Sequence, residues 1–522
     1  MKLGRIWVVL GLMGCAVDKT DHASTATDSG GLGPAGEDTG GLADTGLAAD
    51  PHLDPDPDPD PDDDTSEPEP DPESLGIFEP SGLGDGGLTN ASADLMAVLE
   101  GGSLTGACDA WRLDPEDLNL ELRCGKWMFF YETFGTEGVP VGFVDLLLSD
   151  FETQVGPGFS EYGLVPDPLS SKGYPLGMVE GANGVAFTCA SCHFGVLPDG
   201  RYSVGAANHS YDYGGHNLAL GLFPLAAMSA LMGSEVDPDA QARVQPLLDH
   251  LSSNVWLQIK LVGVVAGLIG TEIPTFTAES QHAYSQWLPG TMDFFIEPLP
   301  IDDGVHTVSK ISALYGIPTV DEELDAGMAH AMLGWTGNTV SLENFVGQFD
   351  ALGGGDGPNF SPESLQPLAT YIRTLHAPTP LDPSDTEAVA RGEEVFVDAG
   401  CLDCHRGPRG GGLELYDYED IGTDNAMAMW MDPELDGEAC CGVDFGPDAI
   451  TNQLKSPRLV GLWTMERFLH NGSVGSLQEL LCVGGAVRDD ARPVFGNMGH
   501  TEGCDTLSDD EKADLIEFLE AH

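Results

Sequence analysis

The chain has 522 residues, with 85 Asp and Glu against 21 Lys and Arg, for a formal net charge of −64 when histidine is neutral. A body this acidic repels phosphates, which excludes nucleic acid as a natural partner. The same field steers a basic redox partner toward the surface; plain solubility is the other use of such charge.

In chain order, Lys2 and Arg5, the apolar run Ile6 to Leu12 and the ending Leu12-Met13-Gly14-Cys15 have the parts of an export signal. The ending resembles the lipobox of bacterial lipoproteins. That resemblance implies that residues 1–14 are removed, that Cys15 carries the lipid and that the membrane is reached only through this anchor. The apolar run is too short to span a bilayer. Ala16 after the cysteine favours the outer membrane, on its periplasmic side or its surface; an ordinary secretory signal is the alternative, and it too exports the chain. Residues 15–76 are expected to be an acidic, disordered tether, because Ala16 to Ser74 has almost no large apolar residue and ends near the run DPDPDPDPDDD. It carries 18 acidic residues against Lys19, a net −17. A calcium-binding repeat would need those acids in a defined loop geometry, so Ca2+ stays an open cofactor.

The first domain is expected over 77–380. Its aromatic run Gly125 to Gly135 reads as a leading helix, and it is followed by Cys189-Ala190-Ser191-Cys192-His193. A second string, Cys401-Leu402-Asp403-Cys404-His405, lies in the domain expected over 381–522. C-x-x-C-H attaches c-type haem: the two thiols add to the porphyrin vinyl groups and the histidine reaches the iron from the proximal face. With 11 Cys and 14 His in the chain, chance yields roughly 0.006 such strings. A zinc ribbon is the other reading of a C-x-x-C pair, opposed by the adjacent histidines and the export signal.

Between the strings, Asn208 to Asp350 exceeds what a small cytochrome contains, and its uncharged stretches Asn217 to Gly233 and Leu261 to Gly270 read as buried or interfacial helices. Ser361, Pro362, Leu365, Leu368, Ile372 and Leu375 mark a closing helix. The second domain opens with a helix at Arg391 to Phe396 and closes with the capping box Ser508 to Glu511, followed by Leu515, Ile516 and Leu519. Helix, haem string, loop and closing helix is the order of a cytochrome c module. The expected fold is therefore mostly α, with two cytochrome c-like domains, the first carrying a large helical insertion, and two covalently bound haem c groups. Setting aside Cys15 and the four haem cysteines leaves Cys108, Cys124, Cys440, Cys441, Cys482 and Cys504, an even set that suggests three disulfides. Cys108 with Cys124 is the first choice, and Cys482 with Cys504 would staple the last loop.

RGEEVF, CLDCH, LKSPRLVGL, FLHNGSVGSLQELL and LSDDEKADLIEFL resemble the C-terminal half of bacterial di-haem cytochrome c peroxidases. GWTGNTVSLENF and the long gap between haem strings are closer to the rubber-oxygenase-like branch of that superfamily. The resemblance covers roughly Gly125 to the C-terminus and is more specific in the second half. It implies that the haem of His193 meets peroxide or dioxygen and that the haem of His405 passes electrons. It also implies that Lys455 to Leu462 and His470 to Leu477 shape the second pocket.

The chain departs from the pattern where the peroxidases place a methionine, since the neighbourhood reads Leu481-Cys482-Val483-Gly484. Met498 and His500 are the candidate sixth ligands there, and the branch resembled favours His500; methionine would raise the potential. For the first haem the candidates are His209, sixteen residues after His193, and His216; loop histidines making hydrogen bonds are the alternative. Glu272, Asp302 and Asp303 lie where a catalytic base is sought, without an assignment, and Trp335 reads as core before it reads as an inter-haem aromatic. The sequence thus points to an exported redox enzyme exchanging electrons with a donor or acceptor such as a basic small cytochrome. A non-catalytic di-haem carrier is the rival, and a haem-stabilised binding protein a third reading.

Overall fold

The computed structural model describes residues 84–522 apart from 228–235, 269–277, 294–307, 318–333, 428–452, most of 336–361 and a few single positions. The signal with Cys15, the tether, Glu272, Asp302, Asp303, Ser361, Cys440 and Cys441 lie outside the described residues. Helices predominate among those described, with four small antiparallel sheets between them.

The aromatic run belongs to a helix that begins earlier than its aromatics. After α1 (Ala107–Leu113), helix α2 (Leu118–Tyr131) starts where the Asp117 carboxylate accepts the Asn119 and Leu120 backbone N–H groups. The disulfide Cys108–Cys124 joins the two helices. Phe129 and Phe130 are fully buried. The first haem string is a short helix, α4 (Cys189–His193), set between the strands β3 (Gly184–Phe187) and β4 (Phe194–Val196). Strand β3 pairs with β2 (Met178–Gly181), while β4 pairs with β5 (Tyr202–Val204), whose other edge holds β1 (Ala91–Ser92). Before the string, α3 (Val141–Asp150) packs its phenylalanine and leucine face into the core of the insertion.

The apolar stretch from Asn217 follows α5 (Tyr213–Asn217) as a π-turn at Leu218–Leu222, buried except at Gly221. The second apolar stretch forms α7 (Val255–Leu268), after α6 (Pro238–Ser253). It starts at Val255 instead of Leu261 because the Asn254 carboxamide oxygen accepts the Trp256 and Leu257 N–H groups. Leu257, Leu261 and Val265 are buried while Val255, Trp256 and Ile259 are exposed. No helix among the described residues is long and apolar enough to cross a membrane. Helix α8 (Ala278–Gln286) and the strands β6 (Thr291–Asp293) and β7 (Val308–Lys310) complete the described part of the insertion.

Each half closes in the same way. Helix α9 (Pro362–Arg373) crosses α2 so closely that a Cβ at Gly125 would stand 2.0 Å from the Pro367 carbonyl oxygen and 2.5 Å from Tyr371 Cβ. In the second half, α10 (Thr386–Asp398) crosses α11 (Asp509–Glu520), and a Cβ at Gly392 would stand 2.1 Å from the Asp514 carbonyl oxygen and 2.6 Å from Phe518 Cβ. Glycine inside a helix costs about 1 kcal/mol against alanine; here it permits two helix backbones to touch. Leu365, Leu368, Ile372 and Leu375 are buried, and the Ser508–Glu511 capping box is present. Between these helices, β8 (Leu415–Asp417) pairs with β9 (Gln453–Lys455). The described residues belong to one compact unit.

Candidate haem sites

The second string follows α10 directly. Gly400, at φ 78°, ends the helix, and Cys401–Asp403 makes one tight turn that presents His405, whose N–H bonds back to the Cys401 carbonyl at 2.9 Å. His405 Nδ1 lies 2.8 Å from the carbonyl oxygen of Gly410. A carbonyl only accepts, so Nδ1 carries the proton and Nε2 keeps its lone pair, the arrangement that orients a metal-ligating imidazole. Burial, with a smaller contribution from His500, pushes the ring down to about 4, which keeps it neutral.

Facing it is the ring of His500, its centroid 6.1 Å away and its plane tilted by 66°. An imidazole nitrogen sits about 2 Å from a bound metal and roughly 1 Å from its own ring centre, so two rings on opposite sides of one metal have centroids about 6 Å apart. The two rings are thus spaced to hold one iron between them. His500 Nδ1 is buried without a hydrogen-bond partner, 4.0 Å from the Glu502 carboxylate. Met498, two residues upstream, is half-buried. Arg458 lies in the LKSPRL run; its Nε donates to the Tyr315 carbonyl at 3.1 Å while its Nη1 is buried without a partner. Burial, and then Arg409, lower the guanidinium to about 10. A buried guanidinium nitrogen without a partner suits an acidic substituent of a bound group.

At the first string, the Thr188 hydroxyl donates to the carbonyls of Phe129 and Phe130 at 3.2 and 3.0 Å and ties α4 to α2. His193 repeats the pattern of His405: its Nδ1 is 2.9 Å from the Ser312 carbonyl oxygen, leaving Nε2 as the lone pair, and burial lowers the ring to about 4. Burial likewise raises the Cys189 and Cys192 thiols to about 12. Cys192, Tyr162 and Phe187 pack against the core that contains Phe159 and Tyr211.

Those four aromatic rings surround His216. Tyr162 stacks on it at 5.2 Å, Phe159 lies at 4.7 Å, Phe187 at 5.8 Å and Tyr211 at 5.9 Å. Its Nδ1 and the Tyr211 hydroxyl share a hydrogen bond of 3.2 Å, whereas Nε2 is buried with no partner. Burial takes the ring down to about 3. His209 is placed differently: its Nε2 accepts the Glu466 backbone N–H at 3.1 Å, so that lone pair is occupied by the second half of the chain.

Among the described residues the four haem-string cysteines are free, while Cys108–Cys124 and Cys482–Cys504 are disulfides. Asp237, Asp239 and His282 are the one described trio of His, Cys, Asp or Glu with ligand atoms within 4.8 Å of one another. The cysteine and histidine donors of neither string converge in that way, as a zinc ribbon requires.

No protein-family model matches the chain and no curated protein matches it. Among solved structures, Kuenenia stuttgartiensis hydrazine synthase, pressurised with xenon, is 22% identical over 46% of this chain and 79% of that chain, with a TM-score of 0.29. A likeness of that size carries no argument about fold or chemistry, and the site rests on its own geometry.

The carbonyl partners Ser312 and Gly410 left no trace in the sequence, because any residue supplies a carbonyl. Tyr211, five residues before His216, was equally silent. Arg458 did carry a signal: in a chain with 21 Lys and Arg, an arginine followed by the apolar run Leu459-Val460 is a candidate for buried work. Trp335 donates to Ser309 Oγ at 3.0 Å, lies 5.4 Å from Lys310 Nζ and accepts the Lys455 N–H on its backbone oxygen at 2.7 Å, which places it where β7 and β9 approach.

Proposed function

We propose that this chain is an exported di-haem c-type redox enzyme, anchored through a lipid at Cys15 on the bacterial outer membrane. Cys189, Cys192 and His193 hold one haem, and Cys401, Cys404 and His405 hold the other, in two cytochrome c-like halves. The observation that carries the reading is the His405–His500 pair, two imidazoles whose centroids stand 6.1 Å apart beside a C-x-x-C-H string. His500 is assigned as the sixth ligand of the second haem, in preference to Met498.

Bound haem supplies one-electron and dioxygen or peroxide chemistry. The chain's own residues divide the labour. If His405 and His500 both hold the second haem, that site would offer no open position, which suits electron relay. At the first site, the Ser312 carbonyl holds His193 in the tautomer that offers Nε2. The wall of Phe159, Tyr162, Phe187 and Tyr211 excludes water around His216, and the Tyr211 hydroxyl and His216 Nδ1 hold one proton between them. The partner is a redox donor or acceptor, with a basic small cytochrome suited to the acidic surface.

The free Nε2 of His216 favours a second reading, a pure electron carrier in which that nitrogen closes the first iron. Optical and electron paramagnetic resonance spectra of the purified holoprotein, oxidised and half-reduced, with and without carbon monoxide, separate the two. A high-spin haem that binds carbon monoxide is expected of the enzyme. Two low-spin haems indifferent to carbon monoxide in every state would leave the carrier. Absence of covalent haem on a denaturing gel would sink both.

A further inference from the structure

His500 is held in an unfavourable backbone conformation. Its φ is 49°, in the left-handed region that residues with a Cβ rarely adopt, and Gly499 before it is at φ 92°. Such a conformation persists only where its surroundings over-determine it. The source of that constraint is Arg488, a buried side chain whose Nη1 donates to the Gly499 carbonyl at 2.8 Å and whose Nη2 donates to the carbonyl of His500 itself. On the other side, the His500 N–H donates to the Ile421 carbonyl at 2.9 Å. The loop continues to Cys504, whose sulfur is bonded to Cys482 and lies 3.8 Å from Arg488 Nη2. Lys512 on α11, also buried, donates to the Cys504 carbonyl at 2.7 Å and to the Cys482 carbonyl at 3.4 Å.

We infer that Arg488 is the positioning residue that fixes His500 opposite His405, its guanidinium bridging two successive carbonyls while the Cys482–Cys504 disulfide ties the same loop to residue 482 and Lys512 holds both cysteine carbonyls to the closing helix. The inference rests on the reading of His500 as sixth ligand. It needs arginine specifically: the planar fork spans two carbonyls at fixed separation, which an ammonium on a flexible stem does not. Arg488 touches no reacting atom and acts through His500.

The test compares full-length holoprotein carrying Arg488→Gln, Arg488→Lys or His500→Ala, each with covalent haem content verified, by low-temperature spin state, carbon monoxide binding and reduction potential. The first haem's signals serve as the internal reference. Both Arg488 variants are expected to lose low-spin signal at the second haem and to gain carbon monoxide binding there. Arg488→Lys, which keeps the charge and nearly the volume, should fall between wild type and His500→Ala. If His500→Ala abolishes the low-spin signal but the Arg488 variants retain it with wild-type carbon monoxide binding, the clamp is overturned. If His500→Ala itself keeps the wild-type spectrum, the ligand assignment fails, and the clamp fails with it.

Discussion

His209 was the first sequence candidate for the first haem and His216 its competitor, and their hydrogen bonds differ. Each ring has one bonded and one buried unpaired nitrogen, but His209 Nε2 must accept the Glu466 N–H, whereas His216 Nδ1 can donate to the Tyr211 hydroxyl and so leave the Nε2 lone pair free inside an aromatic cage. Burial that takes His216 down to about 3 has a consequence for stability. Between that value and the ordinary histidine pKa of about 6.5, the unfolded chain binds a proton that the folded chain excludes. Stability is therefore full above the unfolded pKa and falls as the pH drops through this window. Replacing His216 with Phe should flatten the decline of the melting temperature between about pH 7 and about pH 4, measured by circular dichroism across that range. An unchanged slope would show that the ring is not shielded as described. The C-x-x-C-H strings were legible because thiol, imidazole and their spacing are properties of residue type, while the candidacy of His500 came only through the resemblance. The Nδ1–carbonyl bonds of His193 and His405, and the positive φ of His500, were not, because they are properties of the backbone.

At the scale of elements, what the sequence announced were the start of the last helix and the closing faces, whereas α2, α7 and α10 begin before the expected Gly125, Leu261 and Arg391. Ser508 with Glu511 and the leucines of α9 fall where side-chain chemistry dictates. The strands escaped because they run two to four residues, too short for alternation to register. The crossings at Gly125 and Gly392 escaped because a helical glycine reads as a weak point until its neighbour is known. Gly392→Val should force α10 and α11 apart and cost about 3 kcal/mol, seen as a lowered melting temperature and reduced haem retention. Gly142→Ala in α3, where nothing stands within 4 Å of the added methyl, should be neutral or stabilise by up to about 1 kcal/mol. Equal losses at both sites would refute close contact as the cause. Opening the Cys108–Cys124 bridge by paired serine substitution releases a loop of sequence separation 16, and should lower stability by about 3 kcal/mol in denaturant titrations, with the haem-string cysteines left intact.

Across the whole molecule, the charge of −64 makes a kinetic prediction. Electron exchange with a small cationic cytochrome should slow as ionic strength rises, and exchange with an anionic mediator should quicken, both followed by stopped-flow absorbance. A rate indifferent to salt for both would mean that the acidity serves solubility alone. The stretch 310–315 bonds to residues on both sides of it in the chain. Within a single run, the Lys310 N–H donates to the His470 carbonyl at 2.8 Å, the Ser312 carbonyl faces His193 Nδ1 at 2.9 Å, and the Tyr315 carbonyl accepts from Arg458 at 3.1 Å. Three fixed appointments within six residues leave that stretch no slack. For anyone building chimeras of this chain, the seam is therefore the wrong place to cut: grafts that exchange the insertion should take their junctions outside 308–316, since one added residue there would pull the support of one histidine out of step with the other half.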